Sequence, residues 1–99
     1  MYYVYILQSW KDGNFYTGFA TDLRERIIKH NKGLVQSTRV RKPLKLVYYE
    51  ACINKKDALH REIYLKTAWG KRFVKNRLKN YLVGPRFGSP LGTKRGSVR

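Results

Sequence analysis

Ninety-nine residues, 42% of them hydrophobic and including eight Tyr, four Phe and two Trp, suffice for one compact domain with an apolar core. The 22 Lys plus Arg against 6 Asp plus Glu leave a formal charge of +16, a density that asks for a polyanion at the surface, and nucleic acid is the expected one. Cys52 is the only cysteine and His30 and His60 the only histidines, which excludes an intramolecular disulfide and argues against structural zinc. No apolar run approaches the roughly 18 residues of a spanning helix and no signal peptide is seen, so a soluble, cytoplasmic protein without a membrane partner is expected.

Residues 2–8, Tyr-Tyr-Val-Tyr-Ile-Leu-Gln, carry apolar groups at both parities, the pattern of a central strand covered on both faces. Lys11-Asp12-Gly13-Asn14 supplies turn residues that tolerate positive φ, and Phe15-Tyr16-Thr17-Gly18 returns as the second strand of a hairpin. Thr21 or Asp22 is placed to cap a helix whose Leu23, Ile27 and Leu34 fall on one stripe and which Gly33 ends. Residues 34–43 read as a basic loop with Arg39, Arg41 and Lys42 exposed, and residues 44–51 as a third strand. Asn54 with Asp57 resembles a capping box; Ala58, Leu59, Leu65 and Trp69 give the helix it opens an apolar side, and Gly70 is expected to break it. A further helix from about Lys71 to Leu82 turns Phe73, Val74, Leu78, Tyr81 and Leu82 inward. Residues 84–99, rich in Gly, Pro and Ser, are expected to be a disordered basic tail on a domain spanning residues 1–83.

No acidic residue follows Glu62, whereas ten basic ones do. The C-terminal third is therefore an electrostatic arm, whose phosphate contacts would weaken with salt and carry little base specificity. Arg39, Arg41, Lys42, Lys71, Arg72 and Lys75 are the candidate nucleic-acid contacts; a solvated face that only maintains solubility is the bland alternative.

Five residues are candidates for chemistry. Glu62 lies at helical spacing between Ala58 and Lys66, on a side that should face the protein, so it needs either a structural salt bridge or a divalent metal reached from solvent. Arg26 and His30, four apart on the first helix, can reach one ligand: a guanidinium matches two phosphate oxygens, and an imidazole can exchange a proton near neutrality. Taken singly, Arg26 is one of 22 basic residues and His30 a half-buried helix residue. Tyr5 and Tyr16 sit on the two hairpin strands, where aromatic residues usually serve packing.

Together they form a pattern. Tyr3-Val4-Tyr5, Tyr16-Thr17-Gly18, then Leu23, Arg26 and His30 on a helix and Glu62 on a later one, resemble the GIY-YIG nuclease domain in order and spacing over about residues 2–82, and most resemble the small bacterial proteins made of this domain alone. Tyr3 stands where the first motif names Gly, and Thr17 replaces the Ile of the second. The resemblance implies an α/β chain of the α+β type: a three-stranded antiparallel sheet flanked by helices, in the order β-β-α-β-α-α. It implies a metal-dependent endonuclease acting on nucleic acid, DNA favoured over RNA, structure-guided or weakly sequence-selective, with a homodimer or a partner protein supplying specificity. Glu62 would hold Mg²⁺ or Mn²⁺, Arg26 stabilise charge on the phosphate, Tyr16 or else Tyr5 orient or deprotonate water, and His30 share that proton. Gly18 is better explained by close approach than by chemistry. A non-catalytic nucleic-acid-binding module of the same fold and a basic ribosome-associated protein are the other readings.

Overall fold

The computed structural model describes residues 1–83, so the tail expected over residues 84–99 lies outside the described residues. The chain runs β1 (Tyr2–Ser9), β2 (Phe15–Ala20), α1 (Leu23–Asn31), β3 (Leu44–Cys52), α2 (Lys55–Leu65), α3 (Ala68–Arg77) and a short α4 (Lys79–Val83). This is the expected α+β order, with the last helix divided at Leu78. The residues fall into two compact units, Met1–Tyr64 and those from Leu65 onward. No helix among the described residues is long and apolar enough to cross a membrane.

The first unit holds a three-stranded sheet of order β2-β1-β3, antiparallel throughout. A strand apolar at both parities can only be central, and Val4 through Ser9 of β1 are all buried. The hairpin closes through the Ser9 amide donating to the Asn14 carbonyl at 2.9 Å, with Gly13 at φ 76°. The Ser9 hydroxyl accepts from the Lys11 and Asp12 amides and donates to the Arg41 carbonyl at 2.5 Å, tying the turn to the loop before β3.

One sheet face carries Tyr5, Leu7, Ala20 and Leu44, and Leu23 and Ile27 of α1 pack against it beside Tyr16 and Leu46. Side chains of this size each gain roughly 1.5–3 kcal/mol on full burial, enough to fix which side of α1 faces the sheet. Asp22 caps α1, its carboxylate accepting from the Glu25 amide at 3.0 Å. The helix ends at Asn31, before the expected stripe reaches Leu34: Gly33, at φ 78°, donates to the His30 carbonyl and Leu34 to the Lys29 carbonyl. Leu34 is thereby turned out to solvent, against expectation. Asn31 then fastens α1 to β3, accepting from the Leu44 amide at 2.7 Å and donating to the Leu44 carbonyl at 2.9 Å.

Asn54 caps α2, accepting from the Lys56 and Asp57 amides, as the capping pattern requires. The end of α2 corrects the sequence reading. It stops at Leu65, and Thr67 caps a new helix by accepting from the Gly70 amide at 3.1 Å. Gly70 therefore sits inside the first turn of α3 instead of breaking a helix, and Trp69 is exposed rather than inward.

Candidate functional site

Tyr5 of β1 faces α1 with no exposed surface, and its hydroxyl lies 2.8 Å from His30 Nε2. His30, also fully buried, meets Thr38 Oγ1 with Nδ1 at 2.7 Å. The Arg26 guanidinium is close enough to act electrostatically on both Tyr5 and His30. A neutral imidazole has one N–H and one bare nitrogen, so of the Tyr5 and Thr38 hydroxyls one accepts from the His30 ring and the other donates to it. Burial and the neighbouring Arg26 charge lower the His30 pKa from 6.5 to about 4. His30 is thus neutral near pH 7 with both nitrogens engaged, which corrects the picture of a half-buried imidazole titrating near neutrality.

Burial raises the Tyr5 pKa, with the Tyr16 and Glu62 charges adding to the rise and Arg26 opposing it. Gly18 stands opposite Tyr5 in the register, and the ring crosses it so closely that a Cβ there would collide with Tyr5 Cζ and the hydroxyl. Tyr16, across from Leu7, completes an aromatic cluster with ring centroids 6.4 Å from Tyr5 and 5.2 Å from His30. It is only partly buried, and its hydroxyl accepts from the Ser37 hydroxyl at 3.3 Å. Tyr16 is accordingly the phenol a ligand can reach.

Arg26 Nε is buried and has no hydrogen-bond partner, an uncommon state for a charged donor. A hollow of about 300 Å³ opens beside it, bordered by Phe19, Ala20, Thr21 and Lys29 with Asp22 and Glu25. A larger groove of about 720 Å³ runs along Tyr3, Leu23, Ile27, Leu46 and Tyr49 and includes none of the five candidates. Glu62 is half-buried on α2, near enough to Tyr5 to act on its pKa. Among the described residues no group of three or more His, Cys, Asp and Glu side chains converges. A single carboxylate such as that of Glu62 fits a hard cation that keeps most of its water.

Of the loop cations, Arg39 and Lys42 are exposed as expected. Arg41 is not: its guanidinium pairs with Asp12 at 2.8 Å and donates to the Asn14 and Phe15 carbonyls, bracing the hairpin turn. Lys71, Arg72 and Lys75 are exposed on α3. Ser37 and Thr38 escaped the sequence reading because hydroxyls in a loop look like punctuation, and nothing local signals that one of them meets a histidine eight residues back.

The GIY-YIG catalytic domain model matches residues 1–77, running through both units. The chain belongs to this family. Its relatives include UPF0213 protein SSP2268 of Staphylococcus saprophyticus, 48% identical over 67 residues that make up 67% of this chain and 80% of that one. UPF0213 protein CPE1444 of Clostridium perfringens is 49% identical across 67% of this chain and 71% of its own. The solution NMR structure of UPF0213 protein BH0048 from Bacillus halodurans is similar over 98% of both chains, with 34% identity and a TM-score of 0.50.

Proposed function

We propose that this protein is a cytoplasmic, metal-dependent endonuclease that hydrolyses phosphodiester bonds in nucleic acid, DNA favoured, with structure-guided or weak sequence selectivity. The observation that carries the reading is the buried, partnerless Nε of Arg26, whose guanidinium acts on both Tyr5 and His30. A desolvated donor of this kind is costly unless an anion completes it, and a phosphate oxygen is the anion that a guanidinium fork fits.

Arg26 binds and orients the phosphate and stabilises the negative charge that grows on it during attack. Tyr5, His30 and Thr38 form a hydrogen-bonded chain beside the guanidinium, and the neutral His30 avoids a second charge there. Tyr16 orients the attacking water. Glu62 would hold Mg²⁺ or Mn²⁺, which would supply Lewis-acid stabilisation of the negative charge that develops during hydrolysis. A second copy of the chain or a partner protein supplies the selectivity that one small domain lacks.

The test is nicking of branched, flapped, single-stranded and duplex DNA and of structured RNA, in Mg²⁺, Mn²⁺ or EDTA. Glu62→Gln and Arg26→Lys should each reduce metal-dependent cleavage about a hundredfold or more while salt-sensitive binding persists. Cleavage unaltered in both variants would belong to a contaminating nuclease. The second reading, a binding module that does not cut, draws on the exposed Lys71, Arg72 and Lys75, which can bind phosphates without any cleavage. It predicts tight binding with no EDTA-sensitive product on any substrate.

A further inference from the structure

We infer that Trp69 and Arg72 form a base-stacking platform for an unpaired DNA strand; the choice of DNA rests on the function proposed above, the platform itself does not. Trp69 is 68% exposed, an unusual fate for an indole, and the Arg72 guanidinium lies over its ring at 5.1 Å from the centroid. On α3, Gly70 and Val74 make the buried stripe, one turn apart. Trp69 and Arg72 lie on the arc turned away from it, flanked by exposed Lys71, Lys75 and Asn76. No carboxylate follows Glu62 in the sequence, so nothing acidic on this helix repels a polyanion.

The occupant must present a flat apolar face and negative charge together, and a nucleotide does both. An anionic lipid surface also joins charge to apolar groups, but a helix lying in that surface needs an apolar face. Here Trp69 shares the exposed surface of α3 with Lys71, Arg72, Lys75 and Arg77. A planar guanidinium stacked on an indole extends the platform for a second base or reaches the adjoining phosphate. In a duplex the base faces are hidden in the stack, so only an unpaired strand can use the ring, and preference for single strands is the direct consequence.

The experiment uses the full chain in EDTA with Trp10→Phe, which leaves Trp69 as the sole tryptophan. It is titrated with oligothymidylate of about 12 nucleotides, a blunt duplex of the same length, and phosphatidylglycerol vesicles. Quenching of Trp69 emission by the oligonucleotide and not by the duplex is expected. In the native background, Trp69→Ala should weaken oligonucleotide binding about tenfold or more, with duplex binding nearly unchanged and Trp69→Phe recovering most of the loss. Unquenched Trp69 at saturation, an equal loss for both DNA forms, or quenching by vesicles alone overturns the inference. Because cleavage is silenced by EDTA, a protein that never cuts can still pass, and one that cuts can still fail.

Discussion

At His30 a single proton links the candidate site to the stability of the fold. Its pKa is about 4 in the folded chain against the usual 6.5, so as pH falls the unfolded chain takes up the proton first. Stability from this group is complete above about pH 6.5 and is lost as pH falls toward 4, by up to about 3 kcal/mol. Two carboxylates act lower: Arg41 holds Asp12 at about 2, and Arg61 lowers Glu50, so their contributions fade only as pH drops below the ordinary carboxylate range. Urea unfolding between pH 7.5 and 5 should therefore show a decline that His30→Gln flattens. A decline of the same slope in His30→Gln would assign the proton elsewhere. Gly18 offers a second residue-scale test. An added methyl meets the Tyr5 ring, which His30 holds in place, so Gly18→Ala should cost about 1–3 kcal/mol in thermal or urea unfolding.

The loop between α1 and β3 is where composition says least and the structure says most. Gln36-Ser37-Thr38 reads as polar punctuation, yet Thr38 is fully buried against His30 and Ser37 reaches the Tyr16 hydroxyl. Thr38→Val keeps the shape and removes the hydrogen-bond partner of a buried imidazole nitrogen, so it should destabilise the protein by about 1–3 kcal/mol. It should also free the His30 ring, visible as a changed tautomer balance in ¹⁵N NMR; an unaltered ring spectrum would remove Thr38 from the hydrogen-bonded chain. The strands were legible because periodicity and turn chemistry agree: β1 needs cover on both faces, and Gly13 suits the turn that follows. Helix phase was less so. A stripe continued from Leu65 to Trp69 assumes one helix, whereas the Thr67 hydroxyl capping the Gly70 amide starts another and resets the phase. The Thr67-x-x-Gly70 spacing carries that signal, but Gly70 was the louder residue. Arg41 shows the same limit for charge: sequence counts a cation, and only the fold reveals that Asp12 has claimed it.

For the molecule as a whole, the formal charge of +16 dictates how binding must behave. Each phosphate neutralised releases counterions, so the logarithm of affinity should fall linearly with the logarithm of salt. Six phosphate contacts would cost about a thousandfold between 50 and 200 mM salt. Not every cation contributes equally, because Arg41 and Arg61 are already paired with Asp12 and Glu50 while Lys71 and Lys75 stand exposed on α3. Replacing Lys71 and Lys75 together by Gln should reduce the slope by about two and weaken duplexes of unrelated sequence alike. Arg41→Gln should instead lower the melting temperature, since it loses an ion pair and two carbonyl contacts at the hairpin turn, and leave the slope nearly unchanged. Fluorescence anisotropy across a salt series separates these outcomes. If the slope follows Arg41 and ignores α3, the electrostatic arm lies on the loop, and the helix charges serve solubility.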